Sequence, residues 1–153
     1  MSLPEVAAGD DPLAHLHARD SALRLALHEA ARHPRALGAL FYDRLFTLAP
    51  QARALFPAEM GEQHQKFART LLAIADALSP TASAALPQQL RQLGLRHHHY
   101  GAGALDYVAV GQALGDALRA AAPASFDEGV AAQWQRCYAW IVTQMLAGAH
   151  AAN

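Results

Sequence analysis

His97 stands four residues after Leu93 in a stretch that reads as helix, so the two side chains share a face. His98 and His99 are rotated from that direction by about 100° and 200° at 3.6 residues per turn. Only one imidazole of the triplet can point where Leu93 points. A neutral imidazole held there suits metal ligation through whichever ring nitrogen its other hydrogen bond leaves free. By spacing alone, a core histidine with an ordinary hydrogen bond is the simpler reading of His97, with His98 and His99 solvated. Consecutive residues on a helix cannot converge on one ion, so the triplet offers no more than a surface site for stray divalent metal.

Gln63 lies one turn before Phe67 on an apolar stripe and projects an amide toward the same interior. Tyr42, in a helix that is apolar nearly all round, brings a phenol there too. Buried polar groups need partners, so an amide and a phenol directed inward suggest a pocket without naming its occupant. Each also has a plainly structural reading, Gln63 at a frayed helix start and Tyr42 anchored to a carbonyl. His64, beside Gln63, is turned about 100° from it, and a small helix rotation would bring it to the same space.

The elements that must position these groups are helices. Alanine is used throughout, Val and Ile are scarce, and no alternating strand pattern occurs, so the chain reads as all-α. A helix is expected from Asp11-Pro12 to Arg32, ended by His33-Pro34, and a central one from Arg35 to Leu48. Ala49-Pro50 breaks the second, and a short turn leads to Leu55-Phe56 before a loop at 57–61. Further helices are expected from Glu62 to Leu78, from Pro87 to Tyr100, from Tyr107 to Ala121 and from Phe126 to Ala147. A connection at 79–85 precedes the second of these, and Ser125 with Glu128 reads as a capping box for the last.

With 153 residues, 53% hydrophobic and 16% charged, the chain has the balance of one domain with a core. A formal charge of -1 gives no drive toward nucleic acid or an anionic membrane. Cys137 alone makes neither a disulfide nor a paired-thiolate metal site. The start lacks the basic-then-apolar pattern of a signal peptide, and no apolar run reaches bilayer length, so a cytoplasmic location is expected.

The segment Leu93-Gly94-Leu95-Arg96-His97-His98-His99-Tyr100-Gly101, continued by Tyr107-Val108-Ala109-Val110-Gly111, resembles the haem-proximal helix and its successor in single-domain bacterial globins and neuroglobin. Leu40-Phe41-Tyr42-Asp43-Arg44-Leu45-Phe46, then Ala49-Pro50 and Leu55-Phe56, is similar to the second helix and following corner of that family. Phe126, Trp134, Tyr138 and Met145 match its final helix. The resemblance implies a three-on-three helical sandwich enclosing one haem b, with a domain at 21–150 and an N-terminal extension or extra helix at 1–20.

By the same resemblance, His97 is the iron ligand and Phe56 packs on the haem. Tyr42 and Gln63 take the distal positions that hydrogen-bond the gaseous ligand, with Phe67 the apolar distal residue one turn on. Lys66 falls where a basic side chain commonly meets a haem propionate, and Leu93, Val110 and Leu114 line the pocket. Flavohaemoglobins fix their proximal histidine through a tyrosine and a glutamate. Tyr107 matches the tyrosine, but Ala147 stands at the acid's approximate counterpart, and Leu27 replaces a common tryptophan.

The expected function is reversible binding of dioxygen, with carbon monoxide and nitric oxide as further ligands, by a monomer or homodimer. Alternatives are nitric oxide dioxygenation served by an external reductase, since no reductase-like segment occurs up to Asn153, and gas sensing through a partner. A haem-free helical interaction domain is the remaining reading. His64 or Tyr42 binding iron directly would close the sixth coordination site.

Overall fold

The computed structural model describes residues 22–77 and 85–151, and the described residues form helices, turns and loops without a strand. The helices are α1 (Ala22–Ala30), α2 (Pro34–Leu48), α3 (Gly61–Ala77), α4 (Leu86–His99), α5 (Ala104–Ala121) and α6 (Glu128–His150), with a 3-10 turn at Pro50–Leu55 between α2 and α3. The expected start at Asp11-Pro12 and most of the 79–85 connection lie outside the described residues.

Each helix buries one stripe. In α1 the buried positions are Leu23, Ala26, Leu27 and Ala30, a spacing of i, i+3, i+4 and i+7. Leu27 is fully buried within this stripe. In α2 they are Leu37, Gly38, Phe41, Tyr42 and Leu45, while Asp43 and Arg44 face outward, so this helix is less apolar all round than its sequence suggests. It is central nonetheless, packing on α3, on α5 and on the 3-10 turn. Pro34 occupies its first turn, where a missing N–H costs nothing. Arg44 Nε donates to Asp116 Oδ2 at 2.8 Å and ties α2 to α5 at the surface.

The short corner after α2 is organised by one side chain. The Arg53 guanidinium donates to the carbonyls of Phe56 at 3.2 Å, Pro57 at 2.9 Å and Ala58 at 3.2 Å. It also lies 5.4 Å from the centre of the Phe46 ring.

Helix α4 packs extensively on α6. Glycine makes that approach possible: a Cβ on Gly94 would fall 1.9 Å from the Met145 carbonyl oxygen, and one on Gly148 would fall 1.9 Å from that of Arg91. Helix α4 ends where Gly101 turns to φ 92, a conformation open to glycine without a Cβ clash. The Ala102 N–H then donates to the His97 carbonyl at 2.9 Å and the Gly101 N–H to that of His98 at 3.0 Å, which is a Schellman cap. Helix α6 begins with Asp127, whose carboxylate accepts from the Val130 N–H at 2.9 Å. The aspartate outcompetes the expected Ser125 cap because it stands immediately before the first helical residue, which leaves Glu128 in the first turn.

Two consequences are measurable. Gly94→Ala forces backbone against backbone, which side-chain relaxation cannot absorb, and is expected to cost about 3 kcal/mol and lower Tm by roughly 10 °C. An unchanged Tm would show that α4 and α6 can separate freely. Burial also pushes the Cys137 thiol up to about 12, and raises the Tyr138 phenol further still, with the Tyr107 phenol adding to the shift. Because the folded protein keeps protons that the unfolded chain releases, this contribution is whole below the unfolded thiol's pKa of about 8.5 and is lost as pH climbs toward the folded values. Urea midpoints at pH 8, 9.5 and 10.5 are expected to fall, and to fall less steeply in Cys137→Ala; equal slopes would refute the assignment.

Candidate functional site

Helices α3 and α4 are anchored away from each other, α3 on α2 and α4 on α6. Phe56, Phe67, Leu93 and Val110 pack against the core yet stay only partly buried. Leu114, further along α5, is buried, as is Tyr107 near its start. These apolar side chains, with polar groups on α4 and on α2 and α3, make the candidate walls of a site.

On the α4 side, His97 is half-buried and its Nδ1 lies 2.9 Å from the Leu93 carbonyl oxygen. A carbonyl only accepts, so Nδ1 carries the proton and, in the neutral ring, Nε2 keeps its lone pair. This is the backbone-carbonyl arrangement that orients ligating histidines. Tyr100 follows with its ring 6.3 Å from that of His97, and it is largely exposed. His98 and His99 are exposed, their rings 6.0 Å apart. Among the described residues no three His, Cys, Asp or Glu side chains converge in an arrangement that could hold a metal ion.

On the α3 side, Gln63 Nε2 donates to the Tyr42 hydroxyl at 2.9 Å. The phenol oxygen accepts, which leaves its own proton available for a further acceptor. Tyr42 is buried, and desolvation raises its pKa above the ordinary 10.0 although the Gln63 bond acts the other way. It therefore stays a neutral donor throughout the physiological range.

The Tyr42 ring is set in an aromatic cage. Phe41, Phe56 and Phe67 meet it edge-on at 4.8, 5.2 and 5.8 Å, Phe46 is tilted at 5.8 Å, and Phe67 stacks on Phe41 at 4.3 Å. His64 lies nearly parallel to the phenol ring at 5.6 Å. Sequence reasoning turned His64 away from Gln63 and overlooked this contact, for which the signal was Gly38, one turn before Tyr42. Lys66 is exposed and borders a surface recess with Glu62, Gln63, Gln65 and Arg69.

Behind the wall, the Tyr138 hydroxyl donates to the Tyr107 carbonyl at 2.5 Å and fixes the start of α5 to α6. Ala147, exposed on α6, supplies no carboxylate. The donor set suits a haem: an imidazole whose Nε2 is left free by the Leu93 bond, partly buried apolar side chains, and a hydrogen-bonded amide and phenol on α3 and α2.

The globin family model matches residues 39–145, which takes in every residue of both walls. No curated protein sequence matches the chain. Among solved structures, an engineered carbene transferase from a candidate nitric oxide dioxygenase of Rhodothermus marinus superposes with a TM-score of 0.73. It is 23% identical, over 93% of this chain and 94% of that one, so the likeness is one of fold. The chain belongs to the globin family, whose members carry haem and bind diatomic gases.

Proposed function

We propose that this globin binds dioxygen reversibly at a haem b held by His97 Nε2, with Tyr42 and Gln63 stabilising the gas from the opposite side. When bound, the haem supplies a ferrous iron that coordinates the gas. The chain's residues do the rest. His97 is oriented by the Leu93 carbonyl, a neutral partner that leaves the imidazole less electron-rich than a carboxylate would. Phe56, Phe67, Leu93, Val110 and Leu114 exclude water, and Tyr107 supports the proximal side. Lys66, exposed on α3 beside Gln63, would supply the cation for a propionate.

The observation that carries the reading is the Gln63 to Tyr42 bond. Gln63 donates to the phenol oxygen, so the Tyr42 proton is left free to donate to a bound ligand. Two neutral donors in a low-dielectric space favour a ligand that develops negative charge, as dioxygen does, over carbon monoxide, which develops little. Phe67, stacked on Phe41, narrows the same space and disfavours bulky ligands.

A second reading is turnover of nitric oxide with electrons from a separate reductase, favoured by the description of the Rhodothermus marinus protein. The neutral Leu93 partner of His97 and the alanine at 147 place it behind reversible binding. Repeated nitric oxide consumption with a supplied reductase would reverse that order.

Three measurements decide. Ferric, ferrous and oxygenated absorption spectra are expected to report one haem per chain with a histidine fifth ligand, and His97→Ala is expected to lose it; retention of an unchanged fifth ligand would refute the assignment. Tyr42→Phe removes a hydrogen bond to a partly charged acceptor, worth about 1.5–3 kcal/mol, so dioxygen release should quicken by roughly 10- to 100-fold. Carbon monoxide release should change by less than about threefold on the same argument, and equal changes for the two gases would remove the phenol from the ligand.

A further inference from the structure

We propose that His64 is the positioning residue of the distal pair, holding the Tyr42 phenol in register with Gln63 by stacking on its ring, and that Gly38 is the residue that admits it. The proposal rests on the reading of Tyr42 as the donor to the bound gas. Three rings, Phe41, Phe56 and Phe67, stand at 68°, 67° and 70° to the phenol, so each meets it in a T-shape. A T-shaped contact overlaps less ring area than a parallel one and restrains a swing of the whole ring less. Phe46 is inclined at 33°, so among the described ring contacts of Tyr42 only His64, at 5.6 Å and 19°, lies close to parallel.

The two contacts on Tyr42 come from adjacent residues of one turn of α3. Gln63 reaches the hydroxyl and His64 the ring, so a displacement of one carries the other. What allows that turn to come close enough is Gly38, one turn before Tyr42 on α2. A Cβ there would lie 2.6 Å from both Cα and Cβ of His64, and 2.7 Å from its carbonyl oxygen. Any side chain at 38 therefore pushes the His64 backbone away and withdraws the stacking ring from the phenol. A glycine inside a helix is otherwise disfavoured relative to alanine, and this approach supplies a physical reason for it.

The test uses the ferrous, carbon monoxide-bound holoprotein and its oxygenated form. In His64→Ala, the Tyr42 ring flip measured by NMR is expected to accelerate, the carbon monoxide stretching band to broaden, and dioxygen release to quicken by roughly three- to tenfold, the range of one aromatic pair. His64→Phe keeps a flat ring and should restore all three. In a Tyr42→Phe background, His64→Ala should have no further effect on release.

Wild-type flip rate, band and release in His64→Ala, with fast release in Tyr42→Phe, would overturn the positioning role and leave the phenol's role standing. Normal release in Tyr42→Phe would instead overturn the phenol's role, and the flip rate would still decide for or against His64. A persisting His64→Ala effect in the Tyr42→Phe background, or loss of a six-coordinate ferric spectrum in His64→Ala, would show His64 acting on the ligand or iron itself and would also overturn the proposal.

Discussion

The structure depends on two close helix approaches, which anchor α3 to α2 and α4 to α6. Helices α3 and α4 carry Phe67 and Leu93, which pack against the core yet stay only partly buried. Each helix is held by a tight backbone approach. Gly94 and Gly148 let α4 sink onto α6, and Gly38 lets α3 sink onto α2. The glycines act as spacers of zero thickness at these contacts.

In the proposed site the polar groups are tied by hydrogen bonds. His97 Nδ1 donates to a backbone carbonyl, and Tyr42 accepts from Gln63 while its own ionisation is pushed upward by burial. The field these groups make comes from dipoles fixed by packing. Fixed dipoles cost no reorganisation when charge develops on a ligand, which is why rigid support behind Tyr42 matters as much as its hydroxyl. The support is aromatic and comes from two helices and the corner between them.

Much of this was legible in the sequence, for reasons that differ by element. The extent of α3 could be read to within one residue, since 3.6-residue periodicity survives in any amphipathic helix. Pro34, Pro50 and Gly101 marked breaks that the structure keeps. The polar groups at 42, 63 and 97 stood out because each interrupts an apolar face. What stayed hidden were contacts between distant segments. The Tyr138 bond to the Tyr107 carbonyl, the stacking of His64 on Tyr42 and the hold of Arg53 on its corner have no periodic signature. The α6 cap was misplaced by two residues because Ser125 and Asp127 both satisfy a capping pattern, and only the path of the preceding backbone distinguishes them.

Arg53 has an implication for how this chain can vary. Its guanidinium saturates three successive main-chain acceptors, at Phe56, Pro57 and Ala58, so the bend that presents Phe56 is dictated by a side chain outside it. Of the exposed side chains at 57–59, that of Glu59 accepts from the Gly61 N–H at 2.9 Å, and divergence is tolerable at Pro57 and Ala58. Lysine at 53 would keep the charge but lose the planar fork that spans several carbonyls at once. In descendants of this sequence, substitutions should therefore accumulate along the bend itself, while the arginine that shapes it from one turn upstream is retained.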